Sequence, residues 1–259
     1  MASRKLLLLM SLAQLSLSLP QVRTISSSVQ GISDTLFSTL ELIENFAAAS
    51  YCPSNTMRSK DAAKISCPKS KNCPKVESAV TAIVAPVRNF LKTDVTGFVA
   101  TDSTNNLTVI AFQGTETLKQ AKIDLTLSLK KIDEVCQGCT VHTGFWQSWE
   151  EAKPQVMKAV NESLNKFPNN KLVVTGHSLG GAIATIAAID LRSNGVAVDL
   201  VSMLNFGAPR IGNQQLADYV QKPKSKTGEN HRVTHYNDPV PRLPPTIMGY
   251  AHYTPEIYI

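Results

Sequence analysis

Hydrophobic positions along this chain switch between two periods. Between 31 and 49 they fall at Ile32, Leu36, Phe37, Leu40, Ile43 and Phe46, the spacing of one helix face. Val95–Thr101 and Leu107–Gln113 are two β-type runs separated by Asp102-Ser-Thr-Asn-Asn106, which predicts a hairpin. Val156, Val160 and Leu164 predict a second amphipathic helix over 155–167, with Pro154 in its first turn. Leu172–Val174 reads as a buried strand, followed by a helix that runs to the stop signal Asn194-Gly195. Val198–Phe206 predicts a buried strand, Gly212–Val220 a helix and Arg232–Tyr236 another strand. Glu256–Ile259 reads as a strand entered and not left. Alternating helices and strands imply an α/β domain, with a mostly parallel sheet covered by helices on both faces. No internal repeat and no dividing linker interrupts this pattern.

The N-terminus departs from it. Arg4 and Lys5 precede an apolar run from Leu6 to about Leu19, too short to span a bilayer. Residues 1–19 therefore read as a secretory signal peptide, 20–30 as a propeptide or linker, and 31–259 as a single domain. No other stretch reads as a transmembrane helix. The 259 residues, 43% hydrophobic and 18% charged, suffice for one full core. Without residues 1–20 the Lys and Arg count falls from 26 to 24 against 20 acids, so the net charge of +6 becomes +4. That bias is mild, and nothing resembles a nucleic-acid-binding arm. In an exported chain, Cys67 with Cys73 and Cys136 with Cys139 read as local disulfides, which leaves Cys52 over. Asn106-Leu-Thr and Asn161-Glu-Ser are glycosylation sequons.

The chemistry is concentrated at Thr175-Gly-His-Ser-Leu-Gly-Gly181. An apolar strand, the pattern Gly176-x-Ser178-x-Gly180 and a following helix make a nucleophile elbow, which turns a serine outward at the end of a sheet. Leu179 N–H lies at the helix N-terminus, where an oxyanion is stabilised. A serine nucleophile needs a base and an acid to orient it. Among the acids after Ser178, Asp238 follows a strand and is braced by Pro239, which puts it at the carboxyl edge of the sheet. A turn-forming role is its alternative. His177 is expected to pack its ring beneath the serine, and His235 to lie in a strand. His252 alone lies beyond Asp238. No metal constellation, phosphate loop or dinucleotide fingerprint is present, and ester chemistry of this kind needs no cofactor.

Taken with Ala49-Ser-Tyr-Cys52, Thr96–Asp102, Cys136-Gln-Gly-Cys139, Val141-His-Thr-Gly-Phe145, Asn205–Asn213 and His235–Pro245, the elbow resembles the secreted fungal lipases of class 3. The resemblance runs from about Ile32 to Ile259 and implies an α/β-hydrolase fold. It implies Ser178 as nucleophile, Asp238 as triad acid, and Thr115 with Leu179 as the oxyanion hole. It places residues 115–125 at the family's lid, where Leu118, Ala121 and Leu125 would form an apolar face; a fixed surface helix is the alternative. A lipid or other ester substrate, a lipid–water interface and a monomeric enzyme follow as expectations. Three departures stand out. Gln113 occupies a position where the family usually has Arg. The triad histidine is missing, because His252 matches a non-catalytic histidine. The cysteine that usually pairs with the one matched by Cys52 is also missing. One explanation covers the last two: the chain lacks the family's last strand and loop. The alternatives are a catalytically silent lipid- or surface-binding homologue, a feruloyl esterase or cutinase-like esterase, and His252 as a surrogate base.

Overall fold

The computed structural model describes residues 31–57, 63–88, 92–115, 127–193, 201–221 and 228–259. Signal peptide and propeptide expectations over 1–30 lie outside the described residues. So do Leu118, Ala121 and Leu125 of the expected lid. Asp34–Ile259 form one compact unit, and Met1–Ser33 are grouped apart from it.

Helix α1 (Asp34–Ala49) opens on an acid, which suits its N-terminal dipole, and buries Leu40, Ile43 and Phe46. Two short helices follow, α2 (Pro53–Thr56) and α3 (Pro74–Ser78), each with a proline in its first turn. Strand β1 (Thr81–Arg88) was not anticipated from the sequence. Its Pro86 donates no ladder bond, and the strand lies at a sheet edge, where that is tolerated. The expected hairpin is β2 (Thr96–Asp102) and β3 (Leu107–Phe112). Asp102 Oδ1 closes its turn by accepting from Thr104 N and Asn105 N at 3.0 and 3.1 Å.

The sheet has the order β1-β2-β3-β6-β7-β8-β9. The first three strands are antiparallel; from β3 onward, β6 (Lys171–His177), β7 (Val201–Phe206), β8 (Asn230–Thr234) and β9 (Glu256–Tyr258) run parallel. Strand alternation divides the core. Val99, Ile110, Phe112, Leu172 and Val174 face Trp149, Val156 and Ile186 on one side. Phe98, Val109, Ala111 and Val173 face Ile43 and Phe46 of α1 on the other. A small second sheet pairs β4 (Leu129–Lys131) with β5 (Thr140–His142).

The helix expected over 155–167 is α4 (Thr143–Lys166), and Pro154 lies inside it rather than in its first turn. Upstream of Pro154, Phe145, Trp146, Trp149 and Ala152 are buried. Each large apolar side chain contributes about 1.5–3 kcal/mol on burial. Together they exceed the roughly 3 kcal/mol cost of an internal proline. His142 caps this helix, its Nδ1 accepting from Phe145 N at 3.2 Å. Helices α5 (Leu179–Ser193) and α6 (Gln214–Gln221) complete the layers. The domain is thus α/β with helices on both faces of a largely parallel sheet.

Both expected disulfides are formed, Cys67–Cys73 and Cys136–Cys139. Cys52 is a buried free thiol beside Ser70 Oγ at 3.4 Å. Among the described residues no helix is long and apolar enough to cross a membrane.

Candidate active site

Strand β6 ends at His177 and α5 begins at Leu179, so Ser178 alone makes the corner. Its φ of 56° is left-handed, a conformation that costs a non-glycine residue of order 1–3 kcal/mol. Neighbours hold it there. Ser178 N donates to Phe206 O of β7 at 2.9 Å, and Ser178 O accepts from Gly181 N at 3.0 Å. The flanking glycines are required by packing. A Cβ on Gly176 would run into the Gly180 backbone, and one on Gly180 into Phe112 O of β3. A Cβ on Gly181 would stand 2.8 Å from Ala208 Cβ. The strand–helix crossing is therefore closer than any side chain allows.

Ser178 sits at the sheet's carboxyl edge but is 6% exposed, rather than raised clear into solvent. The segment after β3 covers it: a Cβ on Gly114 would lie 3.1 Å from Ser178 Cβ. Thr115, the next residue, is half-buried, as is Leu179 at the first position of α5. Leu179 thus directly follows the corner, and Thr115 follows Gly114, whose backbone packs against that corner.

His177 does not pack beneath the serine. Strand alternation gives Gly176 the face of β6 that carries Leu172 and Val174, towards α5. His177 takes the other face, with Val173, towards α1. There its ring keeps solvent exposure and its Nδ1 hydrogen-bonds Tyr51 Oη at 2.8 Å. The same Tyr51 oxygen accepts from Gly114 N at 3.1 Å. One phenol, contributed from just beyond α1, therefore joins the end of β3 to the end of β6. Crowding by protein atoms lowers the His177 pKa below the ordinary value, and the negative charge of Asp238 acts in the opposite direction.

Asp238 lies after β8, at the same edge. Its Oδ1 accepts from Val240 N at 2.9 Å, so it does form the turn considered as its alternative role. Its Oδ2 is turned elsewhere. A Cβ on Gly207 would stand 2.7 Å from that oxygen and 3.6 Å from His177 Nε2. Gly207 has a φ of 58°, so a left-handed glycine at the end of β7 makes the space between carboxylate and imidazole. Tyr51 and Gly207 were not singled out from the sequence. Both lie within segments that carry the resemblance, but their partners are distant in the chain and no spacing inside those segments marks either position.

The remaining histidines are occupied elsewhere. His252 Nε2 donates to Pro241 O at 2.6 Å, and burial, reinforced by the Arg232 charge, lowers its pKa to about 4. It is a weak base with its proton-bearing nitrogen committed to a carbonyl, which argues against a surrogate role. His142 is fully buried as a helix cap, and burial lowers its pKa to about 4. His231 contacts Glu229 at 3.2 Å. His235 follows β8 instead of lying within it, and is exposed.

A parallel sheet with a left-handed serine between strand and helix, its flanking glycines in backbone contact, defines an α/β-hydrolase. Comparison with known proteins narrows the class. The family model described as Lipase (class 3) matches residues 109–248. The secreted mono- and diacylglycerol lipase A of Penicillium cyclopium is 39% identical over 215 residues, covering 83% of this chain and 67% of the relative. The secreted mono- and diacylglycerol lipase 1 of Fusarium solani is 40% identical over 213 residues, 82% of this chain and 60% of the relative. The crystal structure of the mono- and diacylglycerol lipase from Aspergillus oryzae superimposes with a TM-score of 0.79 at 36% identity, covering 88% of this chain and 81% of that one. The chain belongs to the class 3 lipase family. It is an extracellular carboxylic ester hydrolase of lipid esters, and these relatives favour that reading over a silent binding protein, a feruloyl esterase or a cutinase. It spans about two thirds of the Penicillium relative's length.

Proposed function

We propose that this chain hydrolyses acylglycerols of the mono- and diacylglycerol class at a lipid–water interface, with Ser178 as nucleophile and Asp238 as the acid of its triad. The observation that carries the reading is the left-handed Ser178 corner, with Asp238 Oδ2 directed to the same sheet edge beside Gly207. The substrate class is taken from the printed names of the Penicillium and Fusarium relatives. Ser178 Oγ attacks the ester carbonyl carbon. Leu179 N–H, at the start of α5, and Thr115 donate to the developing oxyanion. The alcohol leaves with a proton, and water then releases the fatty acid from the acyl-enzyme.

Proton transfer requires an imidazole between Asp238 and Ser178. We place its source outside the five histidines of this sequence, because His252, His142 and His231 are engaged elsewhere, His177 bonds Tyr51, and His235 is exposed beyond β8. Loss of a triad base costs roughly a thousandfold or more in rate. Free imidazole tests the idea. On p-nitrophenyl butyrate, the 259-residue protein should show a slow rate that rises with added imidazole well beyond that of Ser178→Ala under the same conditions. Equal rates for the two proteins at every imidazole concentration would remove Ser178 as nucleophile. A fast Ser178-dependent rate without imidazole would mean that one of the five histidines is the base.

A further inference from the structure

We propose that the turn Pro245–Gly249 is a lipid-surface anchor, with Ile247 as the side chain that enters the lipid. The inference rests on the lipid-ester reading above and names the part of the domain that meets the substrate's surface.

Three observations support it. Ile247 is 93% exposed, more than any other large apolar residue described, and Met248 beside it is 41% exposed. From Leu243 to Tyr250 the sequence Leu-Pro-Pro-Thr-Ile-Met-Gly-Tyr carries no charge, and all five residues of the turn are exposed. A bare isoleucine at an uncharged apex has no role in this core, whereas insertion into an acyl layer would bury it.

Part of the turn's backbone is already paired. Pro244 and Pro245 have no N–H. Met248 N donates to Pro245 O at 3.0 Å and Gly249 N to Thr246 O at 2.9 Å, closed by the left-handed Gly249 with φ 82°. Met248 and Gly249 thus have their amide donors paired within the turn. Its base is held firmly: Arg210 N donates to Leu243 O at 2.8 Å, and Arg210 Nη1 donates to Arg242 O and Pro244 O at 2.5 and 2.9 Å. Exposed Arg242 puts a cation at the foot of the turn, complementary to phosphate headgroups.

Position completes the case. The segment leaves the sheet at Asp238, beyond the carboxyl end of β8, and β8 runs parallel to β6 through β7. Both sides of the turn are tied to the segment that follows the carboxyl end of β7, Leu243 O accepting from Arg210 N at 2.8 Å and Ala251 N donating to Gly212 O at 2.8 Å, which sets the apex on the side of the sheet where Ser178 lies. Val80 is 68% exposed at the opposite edge, where it pairs with the β2–β3 turn through Ser103 N. It is an internal control for apolar exposure alone.

The test uses the 259-residue protein carrying Ser178→Ala, so that binding is read without turnover. Sedimentation with vesicles of phosphatidylcholine and phosphatidylglycerol measures partition. Ile247→Glu should lower it about tenfold or more, while Val80→Glu leaves it unchanged. Trp146 and Trp149, the two native tryptophans, are buried. Ile247→Trp should therefore keep partition and shift its added emission to the blue on contact with vesicles. Partition of Ile247→Glu equal to the parent, equal losses from Val80→Glu, or an unmoved Ile247→Trp emission would each overturn the proposal. In the protein with Ser178 intact, ester hydrolysis that added imidazole does not raise above the level of Ser178→Ala would count against the hydrolase reading and leave the partition result standing.

Discussion

Gly207→Ala probes the space between carboxylate and imidazole directly. At φ 58° an alanine pays roughly 1–2 kcal/mol for the left-handed conformation, less about 0.4–1 kcal/mol for the stiffer unfolded chain. The new Cβ would also stand 2.7 Å from Asp238 Oδ2. The carboxylate cannot swing away freely, because Oδ1 is held by Val240 N at 2.9 Å. Giving up that bond costs about 0.5–1.5 kcal/mol more. The net loss is about 0.5–3 kcal/mol, which at a urea m-value of about 3 kcal/mol/M lowers the unfolding midpoint by roughly 0.2–1 M. A double-mutant cycle separates the two parts. In an Asp238→Ala background the steric part should vanish and the conformational part remain, leaving a coupling of about 0.5–1.5 kcal/mol. If Gly207→Ala costs the same with and without the Asp238 carboxylate, the carboxylate does not occupy that space, and the argument placing it there fails.

Two further outcomes follow from the same geometry. Tyr51→Phe removes the oxygen shared by His177 Nδ1 and Gly114 N. The rate at which a p-nitrophenyl phosphonate labels Ser178 should fall about tenfold, while the urea midpoint moves by no more than about 2 kcal/mol permits; an unchanged labelling rate would show that the link does not set the corner. The second concerns pH. His142 and His252 have pKa values lowered from 6.5 to about 4 in the folded protein, so between those values the unfolded chain binds more protons. Stability should therefore be highest above pH 6.5 and decline as pH falls towards 4, with buried His142 contributing up to about 3 kcal/mol. His142→Asn, which keeps a capping oxygen, should flatten the slope of urea midpoint against pH; an unaltered slope would rule His142 out as its source.

Local signals carried far in this chain. The elbow, the hairpin and both disulfides each lie within a few residues, where turn chemistry and strand period dominate; the hairpin and disulfides folded as read, and the elbow took its strand–corner–helix path but kept its serine 6% exposed rather than turned out. The place of Asp238 at the carboxyl edge was legible by topology, since a residue just beyond a parallel strand has one edge to occupy. Helix α4 was misjudged because Pro154 was weighed against local propensity alone, without the aromatic burial upstream of it. Strand β1 was overlooked because Pro86 interrupts its pattern, and its edge position is a property of the whole sheet. His177 was recoverable: four residues on from Val173, two full strand periods, it takes the same face of β6. Tyr51 meets His177 across 126 positions, and no pattern within one segment signals such a contact.

That long-range phenol has a further consequence. The contacts around Ser178 are complete only when the end of α1 has docked and the Tyr51 oxygen has drawn two strand ends together. Order at that corner is thus conditional on a residue 126 positions from His177 in the chain. A protease cut or a poorly tolerated fusion near residue 50 would silence the serine long before the domain unravelled.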